Sequence, residues 1–321
     1  MEDRCILFTG ACGAIGAVVV NTLAGMYPNT RFVNLDAMTY AASPSAIKQL
    51  PNYKLYKGSI TCADLVNTIL EQEQPSVIVH LAAETHVDNS FGNSFVFTQT
   101  NVLGTHTLLE CARSYGRLRL FVHMSTDEVY GSVPDGQTCN ESTSLIAPSN
   151  PYSASKAAAE MLCHAYMMSF KMPIVILRSN NAVSPFQHDE KLIPKVVRCI
   201  QGGKRIPVHG LGHSKRTFID ARDIATAIDT VCQKGTAGSV YNIGNDEEYT
   251  VLQVIERVLA TMRPGEPLEC WIEYVPDRAF QDYRYSVDTS ALRALGWEPK
   301  IGFQEAIENV LEHFGAMPAK I

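Results

Sequence analysis

Short apolar runs alternate with longer amphipathic stretches through the first half of the chain. The runs at 5–9, 31–35, 54–56, 76–81, 118–124 and 174–177 are β-rich and predict strands. The stretches at 14–25, 61–73, 94–115 and 152–170 predict helices between them. Strict alternation of this kind predicts βαβ units, and hence an α/β fold built on a doubly wound parallel sheet. The helices at 94–115 and 152–170 carry small or apolar residues on more than one face, so burial against a partner subunit is expected in addition to their own sheet. After about Asn180 the rhythm breaks: Pro and Gly become frequent and the strands shorten. Residues 179–220 and 246–321 are therefore expected to form a smaller α/β cap. A helix at 221–234 and a strand at 239–243 return the chain to the main body of 1–178 and 221–245.

Composition narrows the function. The 321 residues, 46% of them apolar, are those of an ordered globule able to bury a core. A net charge of −6 leaves no basic surface for nucleic acid or an anionic membrane, so a small-molecule substrate is expected. The first residues lack the basic and apolar regions of a signal peptide, and no apolar run approaches the ~20 residues needed to cross a bilayer, which predicts a cytoplasmic protein. Nine scattered cysteines, none paired at two-residue spacing, form neither a disulfide framework nor a zinc pattern; no metal is expected. His80, His123 and His164 are read as ordinary histidines.

Chemistry enters at the first strand-to-helix turn. Gly10, Gly13 and Gly16 stand three apart between a strand and a helix: the first for a tight turn, the second for close approach of a pyrophosphate, the third for helix-to-strand packing. The helix start would offer its unpaired N–H groups to the anion. Twenty positions past Gly16, at the end of the second strand, Asp36 can accept from the adenosine ribose, and its charge would repel a 2′-phosphate. A Rossmann-type site for NAD, with NADP as the alternative, follows.

Tyr152 and Lys156 fall on one face of a predicted helix, about 6 Å apart along its axis, so the lysine is expected to lower the phenol pKa and make a base for alcohol oxidation. Tyr53 and Lys57 share the spacing but lie on a predicted strand, where four residues span ~13 Å, and are set aside. Thr126, Asp127 and Glu128 follow the fifth strand. Because side chains alternate along a strand, both acids can reach one pocket only if the chain turns near Thr126; unequal surroundings would then separate them into one acid and one base.

Over essentially its full length the chain resembles the extended short-chain dehydrogenase/reductases, and among them the nucleotide-sugar 4,6-dehydratases. The resemblance is carried by Thr9 to Gly16, Leu81-Ala82-Ala83-Glu84-Thr85-His86-Val87-Asp88, Met124 to Gly131, Tyr152 to Lys156, Lys191-Leu192-Ile193-Pro194, and Arg278 through Tyr285. Epimerases of this superfamily usually have a serine pair and no Asp-Glu after strand five. The resemblance implies that Tyr152, helped by Lys156 and Thr126, deprotonates the sugar 4-hydroxyl as C4 passes hydride to NAD⁺. Glu128 then takes the C5 proton, Asp127 protonates the leaving 6-hydroxyl, and hydride returns to C6 from a cofactor that stays tightly bound and is recycled. It further implies cofactor contacts from Ala14, Ile15, Ser59, Ile60, Leu81, Ala82, Ala83, Thr85 and Asn101. A nucleotide-diphosphate sugar would be held by His86, Ser125, Thr126, Asn181, Lys191, Leu192, Arg216, Arg278 and Tyr285. Arginine suits phosphate because its planar guanidinium grips two oxygens.

Three departures from the family pattern stand out. Ser59 replaces an Asp that accepts from the adenine amino group, and Asn181-Ala182-Val183-Ser184-Pro185 lacks the usual Tyr-Gly. Phe280 stands where bacterial dTDP-glucose enzymes have Gly-His, as in UDP-glucose enzymes of plants and large viruses. The resemblance thus implies a UDP-glucose 4,6-dehydratase of the kind that supplies rhamnose and other deoxysugars. A dTDP-glucose 4,6-dehydratase, a nucleotide-sugar 4-epimerase and a non-enzymatic NAD(P)-sensing protein are the alternatives.

Overall fold

The computed structural model describes residues 5–142, 144–277 and 280–317. Its strands are β1 (Cys5–Thr9), β2 (Arg31–Asp36), β3 (Tyr53–Lys57), β4 (Val77–His80), β5 (Leu120–Thr126), β6 (Ile174–Ser179), β7 (Asn181–Val183), β8 (Ile206–His209), β9 (Lys215–Asp220), β10 (Val240–Ile243), β11 (Glu248–Thr250) and β12 (Ile272–Val275). Its helices are α1 (Ala14–Met26), α2 (Ala63–Glu73), α3 (Val87–Gly92), α4 (Ser94–Phe97), α5 (Thr105–Tyr115), α6 (Pro151–Phe170), α7 (Leu192–Gln201), α8 (Ala221–Lys234), α9 (Val251–Met262), α10 (Ser290–Arg293) and α11 (Phe303–His313).

Seven strands form one sheet in the order β10-β6-β5-β4-β1-β2-β3, every neighbouring pair parallel. Alternation along β1 sends Ile6 and Phe8 to one face and Cys5 and Leu7 to the other. The first face packs Phe8 and Phe32, stacked at 5.9 Å, with Val19, Leu23, Ile224 and Ile228. The second packs Leu7, Val33 and Phe121 with Ile69 and Leu108. Covered on both faces, these strands read as near-continuous apolar runs. Strand order reverses between β1 and β4, so a crevice opens there at the carboxyl ends of the strands. Gly10, Leu81 and Asp127 directly follow β1, β4 and β5, and Asn180 follows β6.

A further apolar cluster joins β7, β8, β9 and β12 to α7, α9 and α11 through Val183, Val197, Phe218, Val258 and Ile307, with Phe218 stacked on Phe303 at 4.7 Å. Helix α8 and strand β10 return to the large sheet, β10 pairing with β6. Leu292 and Trp297, far along the last stretch, also pack into the first cluster, and the Trp297 indole donates to the Asp223 carbonyl at 3.1 Å. Among the described residues no helix is long and apolar enough to cross a membrane.

Two local features differ from the pattern-based expectation. The stretch 94–115, read as one helix, is α4, a π-helical segment Thr98–Gly104, and α5. That insertion turns Asn101 inward, and Gly104 passes so close to Ile60 that a Cβ would lie 2.5 Å from its Cδ1. Strands five and six also run two residues further than expected, to Thr126 and Ser179. Strand β6 is joined to α6 by a buried ion pair, Arg178 donating to Glu160 at 3.1 and 2.6 Å and to the Tyr130 hydroxyl at 2.7 Å.

Candidate active site

At the end of β1 the chain turns through Gly10 at φ +73°, a conformation that favours glycine; a Cβ there would lie 2.6 Å from the Ala82 Cα. A Cβ at Gly16 would lie 2.5 Å from the Ala11 Cα, which explains the close seating of α1 on β1. Gly13 caps α1, and the N–H groups of the first helical turn point toward the crevice. Asp36 ends β2, where its carboxylate accepts from the backbone N–H groups of Cys12 at 2.8 Å and Met38 at 2.9 Å.

These residues line one cleft of about 310 Å³ with Ala14, Ile15, Ser59, Ile60, Leu81, Ala82, Ala83 and Thr85 at one end. The other end holds Ser125, Thr126, Asp127, Glu128, Tyr152, Lys156, Asn181 and Lys191. A glycine turn without room for side chains, a helix start and an oriented carboxylate fit a dinucleotide.

Thr126 ends β5, and its hydroxyl accepts from the Glu128 N–H at 3.2 Å, starting a 3₁₀ turn over Asp127–Tyr130. The turn breaks strand alternation, so both acids face the cleft. Asp127 is fully buried, and burial pushes its carboxyl up to about 7; Glu128 beside it pushes the same way, while bonds from Asn180 and Thr126 and the charge of Arg216 oppose. Glu128 is half-buried, and desolvation raises it as well, against a bond from Asn150 and the charges of Arg216 and Lys191. Asn180 donates to Asp127 Oδ2 at 2.7 Å and Asn150 to Glu128 Oε2 at 3.2 Å.

The expected effect of Lys156 on Tyr152 is not what the geometry gives. Burial, Glu128 and Asp127 raise the Tyr152 phenol, and the opposing influence is a hydrogen bond with Thr126. The Lys156 ammonium turns instead to the Met124 carbonyl at 2.6 Å, and its own pKa falls to about 8, chiefly through desolvation. Tyr53 and Lys57 lie on β3, away from these groups.

Several residues expected at the site stand outside the lining of the cleft. Asn101 is buried behind it, bonded to the backbone of Glu84 at 2.8 and 3.0 Å and to the Ser155 hydroxyl at 2.8 Å, and so braces the wall of the cleft. Leu192 opens α7 and packs into the outer apolar cluster. His86 caps α3 and faces Asp88 and Glu190 at 3.8 and 4.0 Å. Arg216 stacks on the Tyr285 ring at 4.3 Å and donates to the carbonyls of Lys215 and Asp282 at 2.7 and 3.0 Å. Tyr285 in turn bonds Asp282 at 2.6 Å and reaches Glu128 at 3.4 Å. Arg278 lies outside the described residues. Lys191 donates to the Thr85 carbonyl at 3.0 Å across the cleft.

Sequence reading missed Asn150, Asn180 and Asp282. Asn150 carried a usable signal as a helix-capping residue before Pro151; Asn180 meets Asp127 only through a tertiary contact, and Asp282 accepts from Tyr285 three residues on and from Ser149 across the fold. His80, read as ordinary, is neutral and fully satisfied by Thr9 at 2.7 Å and Thr105 at 2.9 Å.

A dinucleotide cleft with a Tyr–Lys helix and two converging acids defines an extended short-chain dehydrogenase/reductase of the nucleotide-sugar dehydratase type. The chain belongs to the family described as GDP-mannose 4,6 dehydratase, which matches residues 7–310. It is 42% identical over 321 residues to an Arabidopsis thaliana trifunctional UDP-glucose 4,6-dehydratase/UDP-4-keto-6-deoxy-D-glucose 3,5-epimerase/UDP-4-keto-L-rhamnose-reductase, covering 99% of this chain and 48% of that protein. The chain thus spans about half the length of the plant relatives. The human dTDP-D-glucose 4,6-dehydratase is 37% identical over 315 residues, 96% of this chain and 89% of that one. The structure of Streptomyces venezuelae DesIV, a dTDP-glucose 4,6-dehydratase with NAD and TYD bound, superposes with a TM-score of 0.91 at 35% identity, covering 97% of each chain.

Proposed function

We propose that the protein is an NAD-dependent UDP-glucose 4,6-dehydratase, a hydro-lyase forming UDP-4-keto-6-deoxyglucose and water. The observation that carries this reading is the convergence of Asp127 and Glu128, through the turn that Thr126 caps, on a cleft that also holds Tyr152. An epimerase or a dinucleotide sensor has no use for the acid pair.

Gly10, Gly13, the first turn of α1 and Asp36 would hold the dinucleotide, which when bound accepts a hydride from the sugar C4 and gives it back at C6. Tyr152, with Thr126 hydrogen-bonded to its oxygen, would take the 4-hydroxyl proton when the positive charge of a bound NAD⁺ offsets the burial and the acid pair that raise its phenol. Lys156 anchors the helix to β5 through the Met124 carbonyl and so holds Tyr152 in place. The 4-ketone acidifies C5–H, and Glu128, its affinity for a proton raised by burial, is the base. Asp127, protonated near neutrality, is the acid for the C6 oxygen. Lys191, Asn181 and Arg216, with Arg278, serve the diphosphate end.

UDP-glucose is favoured by Phe280 and by the 42% identity to the plant enzyme. A dTDP-glucose specificity is the second reading, supported by the likeness to DesIV. Supplying each sugar nucleotide and measuring product mass separates the two. The proposal includes a body of 1–178 and 221–245 with a cap of 179–220 and 246–321. It also includes a homodimer through the exposed Phe95 and Leu103 near α4 and α5 and Met161, Met168 and Phe170 on α6. A cytosolic location accords with nine cysteines, all free.

A further inference from the structure

We propose that Asn180 is a positioning residue for the elimination, fixing which oxygen of the Asp127 carboxyl carries the transferable proton. The inference rests on the dehydratase reading above.

Asn180 follows β6 and is 3% exposed. Its backbone N–H donates to the Ile243 carbonyl at 2.9 Å, and its carbonyl accepts from the Ser179 hydroxyl at 2.9 Å. Its side-chain oxygen has no hydrogen-bond partner and lies against Gly244, where a Cβ would come within 2.0 Å of it. Gly244 therefore leaves just enough room for the amide, whose Nδ2 donates to Asp127 Oδ2 at 2.7 Å.

An amide nitrogen donates and cannot accept. A proton on Asp127 Oδ2 would leave the amide N–H facing a hydroxyl oxygen, a poorer acceptor than the carbonyl oxygen, so the bond favours the carboxyl proton on Oδ1. Beside Oδ1, at 3.2 Å, is the Thr126 hydroxyl, which can donate or accept and so tolerates either protonation state. In the elimination the Oδ1–H bond breaks and that proton passes to the C6 oxygen as C6–O breaks. The C5–H proton goes to Glu128, its electron pair becomes the C5–C6 π bond, and water leaves. Without Asn180 the proton can rest on Oδ2, and the carboxyl can rotate away from the sugar.

The test is a single turnover of the purified enzyme with UDP-glucose, and in parallel dTDP-glucose, in D₂O. Three quantities are followed: reduction of the bound cofactor by absorbance, deuterium at C5 of recovered substrate, and product that has lost water. Asn180→Ala should reduce its cofactor and exchange C5 as wild type does, while water loss slows by about 10- to 100-fold. Gly244→Ala, which crowds the amide, should show the same split, and it carries the test if Asn180→Ala proves unfolded by its melting curve. In an Asp127→Ala background, Asn180→Ala should have no further effect. A uniform fall in all three quantities, or unchanged water loss, in the folded variant overturns the positioning role and leaves the dehydratase reading intact. Failure of the wild type to release water from either sugar nucleotide overturns both.

Discussion

Asn150 ties Glu128 to the catalytic helix: its side-chain oxygen caps α6 by accepting from the Ser153 N–H at 2.9 Å, while its amide nitrogen donates to Glu128 Oε2 at 3.2 Å. One side chain thus sets both the start of the helix carrying Tyr152 and Lys156 and the orientation of the base. Asn150→Ala should cost about 1 kcal/mol of stability, the usual worth of a lost cap. Beyond that, it should slow C5 deprotonation more than C4 oxidation. Chemical denaturation and C5 exchange measured on the same variant check both parts.

Asp127 gives a pH signature with a definite sign. Its ordinary value is 3.8 and its folded value about 7, so the folded protein holds a proton that the unfolded chain releases. The stability it contributes is complete below pH 3.8 and is lost as pH rises through about 7. Asp127→Asn should therefore gain stability over wild type progressively across that window, reaching on the order of 4 kcal/mol above it. Wild-type water release should fall above pH 7, because the acid must be protonated, while bound-cofactor reduction should not share that limb. Melting curves and single-turnover rates over a pH series measure each.

Gly16 tests the cofactor turn. A Cβ at 2.5 Å from the Ala11 Cα and 2.7 Å from the Gly10 carbonyl oxygen must displace backbone. Gly16→Ala is expected to destabilise by about 1–3 kcal/mol and to lower the dinucleotide retained on purification. Spectroscopic quantitation after acid release provides the second readout.

The Arg178–Glu160 pair lies outside the chemistry but beneath it. Both side chains are buried, so Glu160→Gln strands a guanidinium charge and should cost about 3–5 kcal/mol. Replacing both by apolar residues should recover much of that loss, which a double-mutant cycle would measure.

The large sheet was legible because strands covered on both faces read as near-continuous apolar runs, as residues 5–8 and 174–177 do. The glycine turn was legible because backbone crowding at Gly10 and Gly16 leaves no alternative residue. So was the turn at Thr126, since strand alternation alone forbids Asp127 and Glu128 from sharing a pocket. The π-helical segment at Thr98–Gly104 was not, because one extra residue in a turn barely disturbs helical periodicity. Asn180 escaped for a different reason: an amide carries no charge and no spacing signal, and only the fold brings it to Asp127. Lys156 was placed correctly on its helix but aimed wrongly, since its chain reaches the Met124 carbonyl of the neighbouring strand as readily as the phenol one turn away.

Elimination is tested most directly by incubating the protein with UDP-glucose and weighing the sugar nucleotide, for the wild type and for Glu128→Gln. The wild type should yield a product lighter by one water, and Glu128→Gln should reduce its bound cofactor yet release almost none of that product. A product of unchanged mass, or undiminished water loss from Glu128→Gln, would contradict the assignment.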